Sequence, residues 1–157
     1  MRAAYRVRLV ANLVNGSTLA GVLVAAAGRA RLASAGDGLL VGDRYRLPLP
    51  PGPAFCLGNV IMTRIERDTL LRDEALLAHE ARHATQFAWC AGLVMLPLYF
   101  TAAGVSWVLT ADFGSRNVFE RRAGLTDGGY ADRPLRPPLA RWAARAPAAS
   151  RPRRRRA

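Results

Sequence analysis

Lysine is absent from these 157 residues, so all 23 basic side chains are arginines. Cysteine is almost absent too. Cys56 and Cys90 are too few, and too unlike in setting, for a disulfide framework; neither has metal-ligand spacing, so both read as buried free thiols. Internal repeats are lacking, which excludes repeat architectures. Few aromatic residues stand among the arginines and no reader motif is present, so nucleic acid is not expected as the main ligand. What remains is a globular composition, 51% hydrophobic and 22% charged, at a length that supports one domain with a modest core.

The formal charge of +12 is unevenly placed. Residues 131–157 carry nine arginines against Asp132 alone, a net of +8; residues 1–130 carry fourteen against ten acids, a net of +4. Residues 1–130 therefore read as the folded domain. Residues 131–157, a Pro/Arg/Ala mixture ending in Arg153-Arg154-Arg155-Arg156, read as a disordered tail. Such a tail suits contact with an anionic membrane surface, or is simply solvated.

Two long stretches lack charge. Residues 9–27 follow Arg2, Arg6 and Arg8 and end in Ala25-Ala26-Ala27, a pattern like a secretory signal. Asn12, Asn15, Gly16, Ser17 and Thr18 interrupt its centre, which favours a short strand, a turn at Asn15-Gly16 and a helix from about Ser17. The second stretch, Ala84 to Ala111, runs 28 positions without a charge and qualifies by length as a membrane span. A crossing would carry everything after it about 30 Å away. Two buried helical pieces with a break near Pro97 are the favoured reading, and a membrane-dipping hairpin is the alternative.

Between these stretches lie the elements of a small α+β domain. Arg29 to Pro48 alternates loosely and is punctuated by Gly36-Asp37-Gly38 and Gly42-Asp43, as short strands and turns require. Leu47 to Pro53 is a Pro-rich crossing loop, and Ala54 to Thr63 is a β-prone segment with Gly58-Asn59 as its turn. Its second half, Asn59, Val60, Ile61 and Met62, is the expected edge strand for an extended peptide substrate. A helix capped by Asp68 or Asp73 runs to about Cys90, and a last helix spans roughly Ser115 to Arg122.

Histidine occurs twice, and both copies lie in His79-Glu80-Ala81-Arg82-His83. On a helix, residues four apart share a face, so the two imidazoles can reach one metal ion while Glu80 stands beside it as a general base. The pattern arises by chance in roughly one chain in a few hundred of this length, so its surroundings must carry the rest. A catalytic zinc takes three protein ligands, and with no further histidine the third must be a carboxylate or thiolate. Asp112, Glu120, Asp127 and Asp132 lie downstream. Glu120 is the best placed, in the amphipathic segment Arg116 to Ala123; a solvated glutamate among arginines is the alternative. Gln86 continues the histidine stripe, either orienting a ligand or packing. Tyr130, Tyr99 and Arg82 are available as helper donors to an oxyanion.

The stretch from Ala54 to about Ala123 resembles the compact bacterial gluzincins, the minigluzincin-like metallopeptidases. Ala54-Phe55-Cys56-Leu57-Gly58 stands for their β-segment and Leu76 to Gln86 for the H-E-x-x-H-x-x-Q helix. Asn117-Val118-Phe119-Glu120-Arg121-Arg122-Ala123 stands for their N-x-x-E-x-x-A helix. The resemblance departs at Cys56, where the family usually has Thr, and at Arg82, where many members carry a smaller or apolar residue. It implies a zincin-like domain: an N-terminal helix and small antiparallel sheet, an active-site helix, apolar helices and a ligand-bearing helix. It implies Zn2+ held by His79, His83 and Glu120, with Glu80 as base and Gln86 and Asn117 supporting the ligands. The function expected is that of a zinc metalloendopeptidase acting on a peptide or protein, cytoplasmic and associated with the membrane face. An inactive zinc-site interaction module, or a small membrane protein with an accidental motif, are the competing readings.

Overall fold

The computed structural model describes residues 2–48, 50 and 52–137. Among these residues lie six α-helices and a four-stranded sheet: α1 Ala3–Val14, α2 Ser17–Ala27, β1 Arg31–Gly36, β2 Leu39–Asp43, β3 Ala54–Leu57, β4 Val60–Thr63, α3 Arg67–Arg72, α4 Glu74–Trp89, α5 Met95–Thr110 and α6 Val118–Ala123. The expected N-terminal strand is instead a helix. Arg8 and Asn12, one turn apart, form its buried stripe, while Val7, Val10 and Val14 point outward. The turn at Asn15-Gly16 and the helix start at Ser17 are where the sequence puts them.

The sheet order is β1-β2-β4-β3. Asp37 and Gly38 both have positive φ, as a tight turn matched to strand twist requires, and they join β1 to β2 antiparallel. Gly58, at φ 63°, opens the β3–β4 hairpin, and a side chain there would strike the backbone of Ser17 and Thr18. The sheet is mixed, not antiparallel throughout. After β2 the chain crosses so that β3 takes the outer edge and β4 returns beside β2 in parallel, pairing Val41 with Ile61. The run Val60–Thr63 is therefore buried along its whole length. Val60 and Met62 point into one cluster with Ala25, Leu57 and Phe87; Ile61 points the other way, to Leu70, Leu76 and Ala84.

Asp73 starts α4 by accepting from the Leu76 N–H, and Cys90 ends it. The break in the uncharged stretch falls at Ala91 and Gly92, both with positive φ, and not near Pro97. Pro97 sits in the first turn of α5, where its missing N–H costs no helical hydrogen bond. Nor are both pieces buried. On α5, Met95, Ala103, Ser106 and Thr110 face inward, but Leu98, Phe100, Val105, Trp107 and Val108 are exposed. Past residue 130 the chain stays attached, since Ser115 bonds the Ala131 carbonyl and the Arg133 N–H, and the Arg136 N–H donates to Leu109. The expected Arg-rich tail from residue 138 onward lies outside the described residues.

Candidate metal centre

Helix α4 presents His79 and His83 one turn apart, both nearly buried, on the face turned toward α6. Opposite stands Glu120, in the first turn of α6. Asn117 caps that helix, its Oδ1 accepting from the Phe119 N–H. The Asn-x-x-Glu spacing would let a glutamate reach back to the cap. Here Glu120 turns to the histidines instead: its Oε2 lies 3.2 Å from His79 Nε2 and 3.5 Å from His83 Nε2, and the two imidazole nitrogens are 3.1 Å apart. Among the described residues this is the one group of three with metal-ligating atoms so close together.

The outer bonds of each ring fix what the inner nitrogens can offer. His79 Nδ1 is 2.9 Å from the Gly124 carbonyl, which only accepts, so Nδ1 carries the proton and Nε2 holds a lone pair. Gln86 Nε2 donates to the Phe119 carbonyl at 2.9 Å, which orients the amide and leaves Oε1 facing His83 Nδ1 at 2.8 Å. That nitrogen also donates, so His83 Nε2 holds a lone pair as well. Tyr99 of α5 donates its hydroxyl to Glu120 Oε1, leaving Oε2 without a hydrogen-bond partner. Three lone pairs thus converge on one buried point with nothing between them. Only a cation, or a shared proton, relieves that arrangement. Ligands at about 2.1 Å around a tetrahedral ion stand roughly 3.4 Å apart, and the three separations here bracket that value. The residues fit a zinc-like ion.

Without a cation, the shared proton is the other relief. Burial alone would push the Glu120 carboxyl up, but a proton shared with His79 and His83 would hold it at about 2. Burial pulls His79 down, and sharing that proton with Glu120, with the nearby Glu80 charge, raises it on balance. Glu80, 4% exposed, has Oε2 unpartnered, and burial raises its carboxyl despite the two histidines beside it. Burial and the Glu120 charge also raise the Tyr99 hydroxyl, and push Tyr130 up to about 12.

The sequence-expected residues divide accordingly. His79, His83 and Glu120 are brought together, with Glu80 beside them. Gln86 ties His83 to α6, and Asn117 positions Glu120 by capping rather than by touching it. Asn59, Val60, Ile61 and Met62 are not an edge strand: Val60–Met62 are paired on both sides, to β2 and β3, so they offer no free backbone. Asn59 is a buried structural group bonded to Asn12 and Thr18. The free edge nearest α4 belongs to β3. Of the three helper donors, Arg82 is committed to the Ala123 carbonyl and Asp127, and Tyr99 to Glu120. Gly124 and Gly128 were legible only as helix stops. Yet Gly124 supplies the acceptor for His79, and Gly128 packs so close that a Cβ would stand 2.3 Å from the His79 ring.

The chain matches no protein-family model, no curated protein and no solved structure.

Proposed function

We propose that this protein is a zinc-dependent metallopeptidase of gluzincin type. The single observation that carries the reading is the convergence of His79 Nε2, His83 Nε2 and Glu120 Oε2, 3.1, 3.2 and 3.5 Å apart. Those three residues would hold the ion. Zinc, when bound, supplies a Lewis acid that brings the pKa of a water toward about 7. The remaining work belongs to the chain. Glu80, its carboxyl raised by burial, takes a proton from the attacking water and returns it to the leaving amine. Gln86 and the Gly124 carbonyl hold each imidazole in the tautomer that leaves Nε2 free, and Tyr99 holds Glu120. The free edge of β3 is the place for an extended peptide beside α4.

A second reading has its own observation. His79, Glu80, His83 and Glu120 are 2%, 4%, 7% and 2% exposed, and Gly128 closes against the His79 ring. Such closure suits a structural metal site in an interaction module.

Elemental analysis of protein purified without chelators tests the metal. About one zinc per chain, lost in His83→Ala and Glu120→Ala, is expected of both readings; a metal-free wild type after zinc add-back overturns both. Glu80→Gln then separates them. An enzyme keeps its zinc but loses cleavage of an unstructured protein substrate by at least about a hundredfold; a structural site is unchanged by the substitution.

A further inference from the structure

Helix α1 is built inside out. Its buried stripe is polar: Arg8 donates to the Asp37 carbonyl, and Asn12 bonds Asn59 and the Ala84 carbonyl. Its outward stripe is Val7, Val10 and Val14, 69%, 57% and 83% exposed. A water-facing helix carries the opposite pattern. Helix α5 repeats the anomaly. With the 3-10 turn Gly92–Val94 before it, it forms 19 uncharged residues, and of its most apolar stretch 22% is buried. Leu98, Phe100, Val105, Trp107 and Val108 are exposed, while Tyr99 of the same helix reaches Glu120.

The two anomalies meet. Gly92 packs against Asn15 so closely that a Cβ would stand 2.7 Å from the Asn15 side chain, which sets the α1–α2 turn beside the turn leading into α5. Val14, Trp89, Leu93 and Val94 are exposed around that contact, Trp89 by 86%. Charge on α1, α2 and α5 has one sign. α1, α2 and α5 contain no Asp or Glu, while Arg2 and Arg6 open α1 and the Arg136 guanidinium lies 4.9 Å over the Trp107 ring.

We propose that this face docks on an anionic lipid bilayer, with the α1 and α5 outer stripes in the headgroup–acyl boundary and Arg2, Arg6 and Arg136 against lipid phosphates. Apolar side chains with protruding Trp and Phe and with arginines at their ends match such a surface. A second copy of the chain does not match it, because a two-fold contact sets arginine against arginine with no acid in these elements to pair them. Nor does α5 cross the bilayer. Tyr99, on its inward side, holds Glu120, and the Ser106 hydroxyl binds both the Asp112 carbonyl and the Arg116 N–H. A crossing would draw α6 and its arginines into hydrocarbon. The proposal is independent of which metal, if any, His79, His83 and Glu120 hold.

Vesicle flotation of the full chain tests it, with Trp89→Glu/Val94→Glu, Arg2→Glu/Arg6→Glu, and a variant with Arg153 to Arg156 replaced by Ser. Circular dichroism checks each fold. The wild type floats with phosphatidylglycerol–phosphatidylcholine vesicles and is released by sodium carbonate. Trp89→Glu/Val94→Glu loses roughly tenfold or more in partitioning, and Arg2→Glu/Arg6→Glu loses anionic preference. Binding lost only in the Arg153–Arg156 variant overturns the proposal in favour of the tail. Carbonate-resistant membrane protein overturns it in favour of a span. A wild type that fails to float but sediments as a dimer overturns it in favour of a second copy.

Discussion

Two buried polar clusters lie a short distance apart in this domain and behave in opposite ways. Around Asn59, every group meets a complement. Asn12 donates to Asn59 Oδ1 at 3.0 Å and to the Ala84 carbonyl at 2.8 Å, Asn59 donates to Thr18 at 2.8 Å, and Ser17 donates to Asn15 at 2.7 Å. Around Glu120, the outer atoms are equally well paired but three inner acceptors face one another. Both clusters are desolvated, so the contrast is one of complementarity, not of polarity. A satisfied network rigidifies the joint between α1, α2, β4 and α4. An unsatisfied one of fixed geometry is relieved by a cation or by a shared proton.

The sharpest way to break that contrast is to withdraw the zinc that the proposed function requires. For zinc at about a thousandfold excess over its Kd, the linkage is ~4 kcal/mol, or roughly 10 °C in melting temperature. EDTA is expected to lower the melting temperature of the wild type by that order and to leave Glu120→Ala unmoved, read by differential scanning fluorimetry. Next in size is damage to the other cluster. Asn12→Leu strands Asn59 Oδ1 and the Ala84 carbonyl in the interior, at a cost of about 2–3 kcal/mol in urea unfolding. Metal stoichiometry at saturation stays at the wild-type value, because no ligand is touched.

A smaller effect probes the seam between cluster and helix. Tyr99→Phe removes the hydroxyl that holds Glu120 Oε1 and changes little else in volume. Zinc affinity by competition with a chelating dye is expected to fall about 10–100-fold, with the stoichiometry restored at high zinc. An unchanged affinity would mean that the α6 backbone alone fixes Glu120.

How much of this was readable from the residues depends on the range over which each signal acts. His79 and His83 are one helical turn apart, so their partnership is local and the sequence shows it. Asp73, Asn15-Gly16, Asp37-Gly38 and Gly58-Asn59 likewise mark a cap and turns by chemistry that needs no tertiary context. Glu120 was reachable through its amphipathic segment and its motif and not through spacing, since nothing local says that α6 will cross α4. Tyr99 carried no such signal, being one aromatic in an uncharged stretch. Helix α1 misled because its inward residues are Arg8 and Asn12, so polarity marked the wrong face. Strand β4 misled for a different reason. Four consecutive buried residues, Val60 to Thr63, indicate covering on both faces, which belongs to a central strand more than to an edge. The exposed side of α5 was hidden for the same reason that it is interesting: a helix apolar all round gives no periodicity from which to choose a buried side.

The finest test of the comparison uses Asn117, which belongs to neither cluster's bonds yet bears on one of them. Its Oδ1 caps α6 at the Phe119 N–H, and α6 is only six residues long, so its first turn depends on that cap. Asn117→Ala is expected to cost about 1 kcal/mol in stability, less than Asn12→Leu. If the cap acts on the metal centre only by setting the direction of α6, Asn117→Asp restores both stability and zinc affinity, because a carboxylate accepts the same N–H and suits the helix N-terminus. Stability restored without affinity would instead show that the Asn117 amide takes part in shaping the ligand cluster. The cap would then be a member of the unsatisfied network and not merely its support.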